Sequence, residues 1–179
     1  MKIGVLLSGA GVYDGAEIQE SVLTLLAIEE IGAKAICISI DKEQHHVVDH
    51  TSGEEMSEKR NMLTESARIG PEGEILPEVK LLIVNLMNVG KPIAALCVSP
   101  VVLAKALEDS NYNVQMTIGS DQDPSPYNIK EFSDGLDSLG NRSEMKTIRE
   151  ISVDRENKIV TAPCYMMDAS ILEVRKNIR

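Results

Sequence analysis

The chain has 179 residues, of which 43% are hydrophobic, enough for one domain with a real core. Trp is absent and Phe occurs once, so that core is expected to be aliphatic. A formal charge of −10 and a pI near 4.8 argue against nucleic acid or an anionic membrane as partner.

Residues 3–7 are an apolar run of buried-strand type, and residues 8–15, SGAGVYDG, read as a glycine loop. This opening is too short and too soon interrupted for a signal peptide. A helix is expected over residues 16–31, stopped by Gly32, followed by a strand over 35–40. Strand, helix and strand in such a short span make a βαβ unit and imply a parallel sheet. On the helix, Ile18, Val22, Leu25 and Leu26 form one apolar stripe and Leu23, Ala27 and Ile31 another, with Glu20 at the head of the second. That carboxylate either belongs to a site at the sheet's end or is an ordinary first-turn acid favoured by the helix dipole. The glycine loop falls short of a dinucleotide fingerprint, because Asp14 stands where the third glycine is needed and Gly15 comes one residue late.

Residues 41–69 are polar and irregular, with a helix expected over 57–67. His45, His46 and His50 cluster there and read as loop histidines rather than metal ligands, since no cysteine lies nearby. A very apolar helix is expected over 77–89, closed by Gly90. Residues 93–96 are a short apolar strand, and Ser99-Pro100 opens a helix with Ser99 suited to the N-cap and Pro100 to the first turn. Cys97 therefore lies on a tight strand-to-helix turn, flanked by the small residues Ala95 and Ser99. Such a turn projects a nucleophile over the end of a sheet, and the helix behind it favours the thiolate. The alternative is that Cys97 is a small buried hydrophobe. Further on, strands are expected over 114–118, 146–153 and 158–162, with a turn at 154–157. A helix announced by Ser125-Pro126 should run to about Leu139, and Asp168 should cap a last helix. Cys37 sits inside an apolar strand and should be inert, while Cys164 follows Pro163 with nothing to place it on a turn. Three cysteines without close pairs suit a reducing compartment. The protein is expected to be soluble and cytoplasmic, with no membrane span.

The segments VLLSGAGVYDGAEIQESVLTLLAIE, DHTSGEEMSEKRNMLTESARI, GKPIAALCVSP and ENKIVTAPCYM together resemble the ElbB-type isoprenoid biosynthesis proteins with an amidotransferase-like domain, within the ThiJ/PfpI superfamily. The likeness runs over nearly the whole chain. It implies a single class I glutamine amidotransferase-like domain over residues 1–179, an α/β flavodoxin-like sandwich with a mostly parallel sheet and helices on both faces, commonly a homodimer. It also implies a reactive elbow cysteine, Cys97, faced by the helix-one glutamate, Glu20. Val98 after the cysteine and Gly11 in the glycine loop are the candidate substrate or oxyanion contacts. The activity implied is that of a cofactor-independent, glutathione-independent glyoxalase of lyase type, taking glyoxal or methylglyoxal to hydroxy acids with no metal. The alternative is a redox-sensing or binding protein with an oxidisable cysteine. The isoprenoid link is a genetic label and defines no reaction.

Two departures matter. Many relatives carry histidine directly after the elbow cysteine; Val98 here removes a Cys-His dyad and peptidase chemistry with it. Relatives also carry a further strand ending in a Pro-Gly-Gly-Phe-Gly loop, whose amides are the oxyanion donors, where this sequence runs from Ile69 directly into Gly70. Omission of that segment is the expectation, because loss of a central strand would open the sheet. An unbroken chain there would instead take away the glycine amides and turn the balance toward sensing.

Overall fold

The computed structural model describes residues 1–70, 73–75 and 79–179. The chain divides into two compact units, Met1–Glu78 and Val79–Arg179.

In the first unit, β1 (Lys2–Leu6), α1 (Ile18–Glu30) and β2 (Lys34–Ser39) form the expected βαβ unit. β1 and β2 run parallel, with Lys2 opposite Lys34 and Leu6 opposite Ile38. α1 begins two residues later than the sequence suggests because Glu17 caps it, its Oε2 accepting from the Glu20 amide at 2.7 Å. It ends at Gly32, which takes the left-handed φ of 71° that glycine adopts without strain. Glu20 is buried, whereas Ile18, Val22 and Leu26 of the first stripe remain between 43% and 50% exposed.

The polar stretch after β2 is more ordered than its composition suggests. β3 (Val47–Asp49) and β4 (Glu54–Met56) pair as an antiparallel hairpin. The following helix, α2, is only Met62–Ser66. It starts late because Asn61 is tied down: it bridges Glu43, its Nδ2 donates to Asp41, and its Oδ1 caps Thr64 at 3.0 Å. Ser66 then anchors α2 to the strand ends, since its Oγ accepts from Gly9 N and lies 2.9 Å from Ser39 Oγ. β5 (Gly73–Ile75) adds to β2 in parallel.

The glycine loop is buckled to the hairpin segment. Gln44 Nε2 donates to Asp14 O at 2.6 Å, His46 Nε2 to Tyr13 O at 3.0 Å and His50 Nε2 to Val12 O at 2.6 Å. Three consecutive carbonyls are thus held by side chains from one short stretch. The buried Asp14 carboxylate completes the junction, accepting from Val48 N at 2.9 Å and lying 3.4 Å from His50.

In the second unit, α3 (Val79–Asn88) leads into β6 (Ile93–Leu96) and α4 (Ser99–Leu107). The expected start of that first helix at residues 77–78 falls outside the described residues. β7 (Gln115–Met116), α5 (Ile129–Ser138), β8 (Arg142–Ser143), β9 (Ser152–Asp154), β10 (Ile159–Ala162), a 3-10 turn at Cys164–Met166 and α6 (Ile171–Ile178) follow. β6 and β10 are parallel, β9 is antiparallel to β10, and β7 pairs with β8 in parallel. The core is aliphatic as composition demands: Leu103, Leu107, Val114, Met116, Ile118, Leu136, Ile159 and Val174 are all nearly fully buried.

Further boundaries differ from the sequence reading, beginning with the strand expected over 114–118, of which only β7 forms. α5 starts at Asn128, which caps Glu131 N, because Ser125 spends its hydroxyl on Met166 O and its oxygen on the Tyr127 amide. α6 is capped by Ser170 rather than Asp168, in a reciprocal box with Glu173. The strand expected over 146–153 shrinks to β9, since Thr147 and Glu150 close a turn in its first half.

Ile69 and Gly70 are continuous, and both amides donate to Ser66 O, at 3.0 and 3.1 Å. Gly70 packs so closely on Cys37 that an added Cβ would sit 2.1 Å from its sulfur. Among the described pairings β1 pairs with β2, and β6 with β10.

Candidate active site

The elbow is built as the spacing predicts. β6 ends at Leu96, Cys97 takes a left-handed φ of 58°, and α4 begins at Ser99. A left-handed residue other than glycine is uncommon and costs about 1–2 kcal/mol, so its surroundings must hold it there. Two bonds do so. Cys97 N donates to Ala162 O, at the end of β10, at 3.0 Å. Ser99 Oγ accepts from Leu96 N at 2.7 Å and donates to Leu96 O, closing the turn across the cysteine.

This corrects the role expected of Ser99. The N-cap is Val98, with no side-chain cap bond, and Ser99 is the first helical residue. Its hydroxyl locks the elbow instead of capping the helix. A serine two residues after a turn cysteine carries that signal, but it looks the same as a cap signal in the sequence. With no side-chain cap, the amides at this helix start, Val98 and Ser99, lack intrahelical acceptors and sit beside the partial positive charge of the helix end. Val98 itself is 48% exposed.

The other cysteines separate from Cys97. Cys37 is buried in β2, and burial pushes its thiol pKa up. Cys164 is fully buried but does stand on a turn, with φ 48° at the head of the 3-10 turn after β10. Its amide donates to Asn177 Oδ1 at 3.0 Å. The Pro163 that precedes it was the available sequence signal.

In the first unit, Glu20 is 7% exposed and its amide is taken by Glu17. Gly11 is not an amide donor to a ligand in this arrangement, because its N–H donates to Ala16 O at 2.9 Å within the loop. Its φ of 146° and the closeness of Asp14 and His50 explain why glycine stands there. The loop's remaining polar groups are similarly engaged, with Gly9 N on Ser66 and the three carbonyls on the hairpin side chains. A loop closed on itself in this way does not cradle a dinucleotide phosphate, in line with its broken fingerprint.

No protein-family model matches the chain. It is 29% identical over 218 residues to the mitochondrial glutamine amidotransferase-like class 1 domain-containing protein 3 of Homo sapiens, covering 99% of this chain and 79% of that one. It is 28% identical to the mitochondrial ES1 protein homolog of Rattus norvegicus, covering 99% and 80%, and 22% identical to the mitochondrial ES1 protein of Danio rerio. The human alignment runs over 218 positions against 179 residues here, so at least 39 of its positions (218 − 179) carry no residue of this chain. Among solved structures, the isoprenoid biosynthesis protein with amidotransferase-like domain from Ehrlichia chaffeensis superposes with a TM-score of 0.88 at 28% identity, covering 99% of this chain and 94% of that one. Drosophila melanogaster DJ-1beta superposes with a TM-score of 0.51 at 12% identity, covering 99% and 84%, which speaks to fold alone. The cytoplasmic location expected from the sequence is overturned by these relatives, all three of which are mitochondrial proteins. No helix among the described residues is long and apolar enough to cross a membrane. The mixed α/β architecture and these likenesses give the chain the class I amidotransferase-like fold of the DJ-1/ThiJ/PfpI type.

Proposed function

We propose that this chain is an ElbB-type, cofactor-independent protein acting through Cys97, either as an oxidisable sensing thiol, which the unbroken Ile69–Gly70 chain favours, or as an enzyme that converts small 2-oxoaldehydes to hydroxy acids. The observation that carries the reading is the cysteine's left-handed φ of 58° between β6 and α4. A thiolate so placed adds to the aldehyde carbon of glyoxal, forming a C–S bond and an alkoxide that takes a proton to give a hemithioacetal. A general acid–base group, the role that the family resemblance gives to Glu20, removes the proton from that carbon and returns one to the neighbouring carbon, leaving a thioester. Water adds to the thioester, the thiolate leaves, and glycolate is released. The helix-start amides of Val98 and Ser99 are the donors for the transient oxyanion. A small aldehyde substrate and a homodimer belong to the same proposal.

A second reading gains from one observation. Ile69 and Gly70 are continuous and Gly11 N is engaged, so the glycine donors of the relatives' loop have no counterpart among the described residues. That favours Cys97 as an oxidisable thiol: the thiolate attacks a peroxide oxygen, the O–O bond breaks, and sulfenic acid forms as hydroxide leaves.

The test is a steady-state assay with glyoxal and methylglyoxal in the absence of glutathione. Turnover that disappears in Cys97→Ser and falls at least tenfold in Glu20→Gln supports the enzyme. Absence of turnover, together with stoichiometric sulfenic acid at Cys97 under equimolar hydrogen peroxide, supports the sensor.

A further inference from the structure

The first unit contains a cleft of about 350 Å³ that the chemistry above does not use. Its walls include Arg60, Arg68, Glu58 and Glu65, with Ile18 and Ile69 as apolar surface. The two arginines are arranged alike. Arg60 turns Nε and Nη2 onto Glu58, at 3.0 and 3.2 Å. Arg68 turns Nε and Nη2 onto Glu65, at 2.7 and 3.2 Å. Both are side-on bidentate pairs, and each engages two of the three guanidinium nitrogens. The Nη1 donors of both arginines take no part in these pairs, and each carboxylate keeps lone pairs beyond the two it uses.

Charge decides what such a cleft accepts. Two cations and two anions sum to zero, so a simple anion attracted by the guanidiniums is opposed by two carboxylates at similar range. A simple amine meets the reverse. A molecule bearing a carboxylate and an ammonium on adjacent atoms satisfies both sets of groups together. Of the four charged side chains Glu65 alone is buried, at 9% exposed, which places that carboxylate where ion pairing counts for more. The volume lies within the range of small-molecule sites, and Ile18 and Ile69 offer contact for a short aliphatic group.

We propose that this cleft binds a small zwitterion of the free α-amino-acid type with an aliphatic side chain. The carboxylate lies on the Nη1 edges of Arg60 and Arg68, the ammonium on Glu65 and Glu58, and the side chain against Ile18 and Ile69. The proposal does not rest on the cysteine chemistry.

The experiment is isothermal titration calorimetry on Cys97→Ser protein, so that its result is independent of any reaction at the thiol. The probes are L-leucine, 4-methylpentanoate (which lacks the amine), isopentylamine (which lacks the carboxylate) and inorganic phosphate. Leucine is expected to bind at least tenfold more tightly than any of the other three. The charge-balanced double changes Arg60→Gln with Glu58→Gln, and Arg68→Gln with Glu65→Gln, should each weaken it at least tenfold. Ile18→Trp fills the cleft from a half-exposed position without touching an ion pair, and it should abolish binding even if the Glu65 double variant fails to fold. No heat with leucine, equal affinity for phosphate or 4-methylpentanoate, or undiminished binding by Ile18→Trp would each overturn the proposal.

Discussion

The backbone amide of Cys97 donates to the carbonyl of Ala162 at 3.0 Å, so the elbow is held from the neighbouring strand as well as by the lock at Ser99. The residue at this point is therefore kept in a conformation that its side chain disfavours. Glycine would occupy it freely and a β-branched residue would not. Cys97→Gly is expected to raise the melting temperature by a few degrees, about 1 kcal/mol in a chain of this size, while losing all thiol chemistry. Cys97→Val should lower it. Differential scanning fluorimetry of the two variants beside wild type checks the sign; a Cys97→Gly protein clearly less stable than wild type would show that the turn is not strained.

Thiol reactivity follows the thiolate fraction and access. Cys37 has its pKa raised by burial and Cys164 is fully buried, whereas Cys97 is half-buried at a helix start. Sub-stoichiometric iodoacetamide followed by peptide mapping should therefore label Cys97 first, by at least tenfold over either of the others. Label appearing first on Cys37 would sink the assignment of Cys97 as the reactive thiol.

Acid sensitivity of the second unit should centre on Asp154. Burial works to raise this carboxyl's pKa, but hydrogen bonds from the Asn157 amide and side chain and the Gln115 amide, with the Arg142 charge, hold it below 3.8. A pKa lowered in the folded state gives stability that is fully present above the ordinary value and is lost as pH falls through the lowered one. Wild type should thus lose stability as pH drops below about 4, the usual range for an aspartate. Asp154→Asn should be less stable at pH 7 by about 1–3 kcal/mol, from weakened charge-assisted bonds to β7 and the 154–157 turn, with a shallower decline in acid. Urea melts of both proteins between pH 2.5 and 7 measure this; parallel profiles would remove Asp154 from the explanation.

Gly11→Ala should damage the glycine loop for steric reasons. The new Cβ would meet Asp14 Oδ1 at 2.6 Å and the His50 ring at 3.0 Å, on a φ of 146° that side chains rarely adopt. Roughly 1–3 kcal/mol of destabilisation is expected, with faster amide exchange in residues 9–15 by hydrogen-exchange mass spectrometry. Unchanged exchange would mean the loop relaxes without cost.

What the sequence disclosed follows from local pattern. β1, β2, β6 and β10 read out because each is a short apolar run, although only β10 is mostly buried, and the elbow read out because Ala95, Cys97 and Ser99 mark a sharp turn. The β3–β4 hairpin did not, since β4 is Glu54-Glu55-Met56, exposed throughout, and gives no alternation to detect. Asp168 and Ser170 both have the side chain of a cap, and Ser170 takes the role because Glu173 three residues on completes the capping box. Ser99 met every requirement of a cap, and only the bonds to Leu96 reveal its other use. The engagement of the Gly11 amide by Ala16 was likewise invisible, because nothing in a glycine-rich stretch tells which amides the loop keeps for itself.

The buckle of Gln44, His46 and His50 on three successive carbonyls has a consequence for anyone exchanging parts between this chain and its relatives. Residues 9–15 and 44–50 are one mechanical piece, although β2 and α1 separate them along the chain. Transplanting either alone leaves a row of carbonyls without donors, or donors without carbonyls, in a junction that also buries the Asp14 carboxylate. A chimera that moves both together keeps the fastening intact, whichever substrate loop it is meant to import.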